Sequence, residues 1–424
     1  MNLSTGSKII DKKKSRGLDY DYSMKPNLNN TYIFEKESTG TKNISKNICI
    51  EEVTNFKNFK AFYNFSLELY RDNQYCVTPF WKEFKDFFKN NNPFWKHADC
   101  ALFVVKKNNK VSGRIATIID HKYCRLVDKK IGYFGFFECI DDYDCAEVLF
   151  KKVQTWLLSK NIEILRGPID GRVDIGCGFL TTGFDSPPSV LSTYNPPYYI
   201  SFVEKFNMKK SRDFITYYID LTKPIPKELE KKAKECIKSG VKIRPFNRLR
   251  TNKELKWWIK LFLETYEDHW GYTPAPAREV KSRFGIKQLR WFVDSNLFLI
   301  AEYKGKPIGY LFSTPEYNQI FIKMKGSLNP FQLLKFLFMK NRINKGKMQF
   351  IGIKKEYRNI NIGACLNYET IVEMKNKGYI GSEVSLIDEK NTAAHKIISI
   401  TGAKPYKRYR VFEKTIYKKK SEGA

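Results

Sequence analysis

The chain has 424 residues, 42% hydrophobic and 15% aromatic, enough to core two or three domains and too apolar for a disordered chain. No apolar run reaches the ~18 residues of a membrane-spanning helix, and the polar, lysine-containing start lacks an apolar signal core, so a cytoplasmic protein is expected. A net charge of +30 would attract nucleic acid, an anionic membrane or a polyanionic cofactor. The lysines, however, are spread along the whole chain and asparagine is abundant. A compositional drift toward Lys, Asn and Ile gives the same excess without selection for binding.

Residues 1–45 are polar and aperiodic and read as a mobile tail, and Lys12-Lys13-Lys14 and Lys418-Lys419-Lys420 as solvated ends. From residue 46 the chain divides into two halves. Leu102–Val105 followed by Val111–Gly113 reads as a β-hairpin. A strand from Ile131 to Ile140 then leads into Asp141-Asp142-Tyr143-Asp144. Three carboxylates at a helix start suit the helix dipole but repel a pyrophosphate, so this copy is expected to lack a phosphate loop. The Gly- and Pro-rich segment Gly167 to Tyr199 is too long for a plain connection and reads either as an elaborated structural loop or as one wall of an acceptor pocket. A helix end, a turn and a long closing strand finish the half at Glu204–Leu221.

Lys223-Pro-Ile-Pro226 breaks the chain, and Glu228 to Ser239 reads as an amphipathic connector within residues 223–240. The second half, 241–417, then repeats the first. Its hairpin at Leu297–Ile300 and Pro307–Gly309 lies 195 positions after the first strand of the earlier one. At the same offset Ser399–Ile416 matches Glu204–Leu221, and two matches at one offset indicate duplication. The expected elements are a strand at Val241–Pro245, helices at Glu254–Tyr266 and Lys281–Phe292, the hairpin, and a strand at Met348–Ile353. A helix from Ile362, a strand at Glu383–Ile387, a helix from Asn391 and a closing strand complete it.

The most informative segment is Tyr357 to Leu366, where strand, tight turn and helix follow in order. A helix start leaves backbone N–H groups unpaired and carries partial positive charge, so such a corner holds phosphate. Gly363 and Ala364 admit a ligand close to the backbone, and Arg358 at the rim supplies a charge-assisted hydrogen bond. Read alone, the segment also fits an ordinary helix start with a solvated arginine. The nine cysteines (Cys49, Cys76, Cys100, Cys124, Cys139, Cys145, Cys177, Cys236, Cys365) include no Cys-x-x-Cys pair and read as reduced thiols. The four histidines, His97, His121, His269 and His395, show no metal-ligand spacing, and no metal is expected. His269, beside Trp270-Gly-Tyr272, is the one to watch, read as structural ahead of catalytic.

The corner resembles the acyl-CoA loop of the GNAT (GCN5-related N-acetyltransferase) superfamily, Arg/Gln-x-x-Gly-x-Gly/Ala, written here as Arg358-Asn-Ile-Asn361-Ile-Gly363. Asn361 stands at the first glycine position, and asparagine tolerates left-handed backbone angles. Gly132–Glu138, Gly183–Pro188, Tyr194–Tyr199 and Trp270–Tyr272 are similar to bacterial and archaeal tandem GNAT proteins labelled as uncharacterised N-acetyltransferases. The resemblance implies an α/β fold of two tandem GNAT-like domains, each a mixed central sheet flanked by helices. It implies transfer of an acetyl or short acyl group from acetyl-CoA or another acyl-CoA to an amine or other nucleophilic acceptor. The cofactor contacts it implies are Ile351, Ile353, Arg358, Asn361, Ile362, Gly363, Ala364 and Asn391, with a strand N–H polarising the thioester carbonyl. Read as an isolated residue, Asn391 is a helix N-cap, the safer assignment. The family's tyrosine acid, six or seven residues beyond that Asn, is replaced by Ile397 and Ile398. Glu383, Ser385 and Tyr409 are the candidate catalytic residues, Tyr406 a possible substitute acid. The alternatives are a tandem-GNAT aminoacyl transferase fed by charged tRNA, the one case requiring nucleic acid, and a non-catalytic CoA-binding protein.

Overall fold

The structure, a computed structural model, describes residues 31–34, 44–45, 47–274, 277–283 and 293–417. Most of the expected N-terminal tail, the C-terminal lysines and all but the start of the helix expected over Lys281–Phe292 lie outside them.

The first half runs β1 (Ile44–Ser45), β2 (Ile48–Glu52), α1 (Phe56–Leu69), α2 (Trp81–Phe87), β3 (Ala98–Lys107), β4 (Lys110–Asp120) and α3 (His121–Val127). It continues with β5 (Ile131–Cys139), α4 (Tyr143–Ser159), β6 (Ile164–Gly167), β7 (Phe179–Thr182), α5 (Tyr199–Lys205) and β8 (Lys209–Asp220). After α6 (Lys227–Lys238) come β9 (Val241–Pro245), α7 (Thr251–Tyr266), α8 (Ala277–Arg283), β10 (Phe298–Tyr303) and β11 (Lys306–Pro315). Two helices with no counterpart in the sequence reading follow, α9 (Asn318–Met324) and α10 (Pro330–Met339). The half ends with β12 (Lys345–Ile353), α11 (Ile362–Asn376), β13 (Gly381–Asp388), α12 (Thr392–Ser399) and β14 (Lys404–Thr415).

Helix periodicity explains how the first half covers its sheet. On α4, Cys145, Leu149, Phe150, Val153 and Leu157 form one buried stripe, packed with Phe103, Phe134 and Phe137 of the sheet. In the second half α11 takes that place, and the connector α6 lays Leu229, Ala233 and Cys236 onto it in the same core as Leu366, Ile371 and Met374. Within the segment read as a tail, Tyr32 and Phe34 are buried, and the Phe34 ring stacks 4.4 Å from Phe59 of α1.

The strands form one continuous sheet in the order β1-β2-β3-β4-β5-β6-β14-β8-β13-β12-β11-β10-β9, with β7 beside β14. The closing strands are therefore exchanged. β14, the last strand of the chain, pairs with β6 of the first half, and β8 pairs with β13 of the second. They also pair with each other along most of their length. Asp213 on β8, fully buried, binds Arg410 Nε at 2.7 Å and Arg408 at 3.0 Å on β14, which locks that register.

Candidate active site

β12 and β13 are parallel neighbours from Lys345↔Gly381 to Met348↔Val384, and there the ladder stops while both strands run on. Each strand carries an irregularity at the parting. The β11–β12 register shifts beyond Phe312/Ser313, leaving Gln349 as the extra residue, and the β13–β8 register shifts between Val384 and Ile387. Bulges bend and overtwist a strand, so the two diverge. β11 and β8 still pair their outer edges, and the inner edges line a wedge-shaped cleft. The hydroxyl of half-buried Tyr266 approaches the Ile351 N–H.

The cleft leads to the corner singled out in the sequence. After β12 the chain makes a short 3-10 turn at Lys355–Tyr357, and Arg358, exposed, donates from Nε to the Ile353 carbonyl at 3.3 Å. Asn361 adopts φ 57°, the left-handed region, and its side chain does not cap α11. The first intrahelical bond there comes from the Cys365 N–H to the Asn361 carbonyl, 3.0 Å. The amides of Ile362, Gly363 and Ala364 therefore precede any helical acceptor, the backbone feature on which a helix start can hold an anion. A Cβ on Gly363 would come within 2.8 Å of Ile397 Cδ1, so glycine here also lets α12 pack onto the start of α11. Asn391 accepts the Ala394 N–H at 3.1 Å and N-caps α12.

The same position in the first half is closed. Asp142 caps α4 by accepting from the Asp144 and Cys145 N–H groups, and it pairs with Lys107. The parting of β5 and β6 is plugged by the chain itself, where Asp170 Oδ1 accepts the Phe136 N–H at 2.6 Å. Burial pushes the Asp170 carboxyl up to about 6.

The end of α7 and the loop after it border the second-half cleft. The His269 ring stacks on Tyr266 at 4.3 Å. Burial lowers its pKa, and the Arg358 charge acts in the same direction, so the imidazole is neutral at pH 7. Asp388, at the far end of β13, also acts on it electrostatically. The loop is held by the first half. Trp270 lies between the guanidinium groups of Arg166 and Arg212, 5.1 and 5.3 Å from its ring centre. Thr273 donates to Asp120 at 2.9 Å. Asp120 in turn binds His97 Nδ1 at 3.0 Å, His97 Nε2 meets Glu279 on α8 at 3.2 Å, and Glu279 meets Arg172 at 2.8 Å. Burial disfavours a charged His97, but the hydrogen bonds its ring donates to Asp120 and Glu279 outweigh it and hold the pKa at about 9.

Glu383, Ser385 and Tyr409 divide between two places. Glu383 sits one residue before the parting and pairs at 3.2 Å with Lys347, a fully buried lysine that also donates to Ser189. Ser385 lies on the β13 bulge, half-buried. Strand exchange carries Tyr409 into the aromatic core of the first half, opposite Leu180 and Phe214, where burial drives its pKa far up. Tyr406 donates to Ser186 at 2.8 Å, and Lys407 binds the Ser186 carbonyl at 2.9 Å. The long Gly167–Tyr199 segment thus lies against the second half through Ser186, Ser189 and Val190. The Val190 N–H donates to Glu316 at 3.1 Å, and burial pushes Glu316 up to about 8. Tyr266, Gln349, Lys347 and Glu316 were not among the expected site residues. The only local signal was a lysine within a strand and a glutamate just after one, each with apolar neighbours.

No protein-family model matches the sequence. Over 382 residues the chain is 28% identical to Protein YghO of Escherichia coli (strain K12), covering 89% of this chain and 97% of that protein. Over 348 residues it is 29% identical to bacterial ceramide synthase of Caulobacter vibrioides (strain NA1000 / CB15N), covering 80% and 90%. Its structure matches a tandem GNAT protein from the clavulanic acid biosynthesis pathway with TM-score 0.51 at 10% identity, over 88% of this chain and 99% of that one. The chain has the tandem GNAT fold. Within this fold the parted strands and a helix start without a side-chain cap occur together in the second half, whereas in the first half Asp142 caps the helix and Asp170 fills the parting.

Proposed function

We propose that this tandem GNAT transfers an acyl group from acyl-CoA to an amine, with the chemistry in its second half. One observation carries the reading: the β12–β13 cleft ends at the uncapped start of α11. A thioester arm laid along the inner edge of β12 would find backbone partners there, and its pyrophosphate would meet the amides of Ile362, Gly363 and Ala364, with Arg358 at the rim.

His269 is the group suited to take the proton. Its neutral imidazole can accept the proton that the attacking amine loses as the C–N bond forms and the C–S bond breaks, the electron pair leaving with sulfur. Positioning both reactants supplies much of the remaining rate. A ceramide is the amide of a long-chain amino alcohol, so similarity to a ceramide synthase supports a long-chain amine as acceptor. Tyr409, enclosed in the opposite core, is not assigned the acid role.

Calorimetry with acetyl- and palmitoyl-CoA, followed by thiol release and amide detection with sphinganine and short amines, tests the reading. Binding is expected, weakened at least about tenfold by Arg358→Glu, the worth of one charge-assisted contact. Absence of binding, or binding indifferent to Arg358→Glu, defeats the CoA assignment. His269→Ala with an unchanged turnover number removes His269 from the reaction.

A further inference from the structure

We propose that α10 is a membrane-surface anchor that seats the protein on anionic lipid bilayers. The helix Pro330-Phe-Gln-Leu-Leu-Lys-Phe-Leu-Phe-Met339 is apolar on nearly every side, yet only Phe336 is buried. That ring holds the helix down through Tyr317 and Phe321, at 5.7 and 6.0 Å. Phe331, Leu334 and Phe338, spaced to share one face, are 73%, 52% and 74% exposed, and Leu333 and Leu337 extend the face. A contiguous apolar helix face left in water costs free energy that a partner must recover.

Charge identifies the partner. From Tyr317 to Lys355 the chain has no Asp or Glu. Lys323, Lys325, Lys340 and Arg342 flank the apolar face and are exposed, and Lys335 lies within it. Lysine stems can lie along apolar surface while their ammonium groups reach phosphate level. A short apolar helix with exposed cations before and after it, in a segment without Asp or Glu, matches the headgroup boundary of an anionic bilayer. A second copy of the chain would instead bring the same cations into mutual repulsion. Ten residues span about 15 Å, half a hydrocarbon core, so the helix lies in the interface. Among the described residues no helix is long and apolar enough to cross a membrane. The first half has no corresponding insertion: between β4 and β5 it carries only α3.

This surface assignment does not depend on the acyl-transfer reading, and its test reads no activity. The full-length protein is sedimented with vesicles of phosphatidylcholine alone or with phosphatidylglycerol added. Binding to the anionic vesicles is expected, at least about tenfold tighter than to the neutral ones and weakened by salt. Phe331→Ser/Phe338→Ser, at exposed positions that leave the circular dichroism melt unchanged, is expected to lose at least about tenfold in binding. Lys340→Glu/Arg342→Glu is expected to erase most of the preference for anionic lipid. No binding by the wild type, or equal binding by wild type and the Phe331/Phe338 variant, overturns the proposal. So does a lipid-independent dimer, seen by light scattering, that the same variant converts to monomer.

Discussion

The Asp120–His97–Glu279 contact holds the loop carrying His269, and its strength can be read from pH. In the folded chain His97 has a pKa of about 9 against 6.5 for a free imidazole. At about 1.36 kcal/mol per unit, that difference contributes roughly 3 kcal/mol, less some screening because 12% of the side chain is exposed. The folded pKa lies above the unfolded one. The contribution is therefore complete below pH 6.5 and is lost as pH rises through 9. His97→Gln removes the titration while keeping a hydrogen-bonding side chain, so other alkaline titrations cancel in the comparison. Urea unfolding followed by tryptophan fluorescence should show wild-type stability falling about 2–3 kcal/mol further than the variant's between pH 6.5 and 10. Parallel stability–pH curves would refute the assignment of a charged His97 between two carboxylates.

Gly363→Val places a side chain where a Cβ already meets Ile397 Cδ1 at 2.8 Å and Ile353 Cδ1 at 3.3 Å. It should cost about 1–3 kcal/mol in stability and lower acyl-CoA affinity in calorimetry at least about tenfold. Asp170→Asn keeps an acceptor for the Phe136 N–H and should change the unfolding midpoint little, whereas Asp170→Leu orphans that buried donor and should cost about 1–3 kcal/mol. Residues 241–417 expressed alone lack β8, so β13 loses its outer partner and β14 loses both β6 and β8. The fragment should aggregate where the full chain stays monodisperse in size-exclusion chromatography.

Much of the fold was legible because it rests on short-range patterns. The strand at Val241–Pro245 occurs with those bounds, and the hairpins, α6 and the β12–turn–α11 corner follow from apolar spacing and turn residues. The duplication was legible because it repeats at a fixed offset. The site was legible only where it is contiguous. Arg358 to Ala364 form one local turn, but Tyr266 and His269 come to the cleft from one segment and Asp388 from another over a hundred residues later, and Lys347 meets Glu383 across a parallel ladder. No local pattern encodes such meetings. Of the two helices between β11 and β12, α10 went unread because apolar residues fall on nearly all its sides and blur the period.

The sequence by itself determined which elements form and that they form twice, since hydrophobic period, caps and turn chemistry act over a few residues. It also determined that Asp141, Asp142 and Asp144 stand at the start of α4, where the second half has Asn361, Gly363 and Ala364. Only the tertiary structure decided which half receives each closing strand. β8 and β14 are similar long strands, and nothing in either names its neighbour. Their exchange is fixed by long-range pairing and by Asp213 meeting Arg408 and Arg410. That pairing places Tyr409 in the first half's core and leaves the cleft to Tyr266 and His269.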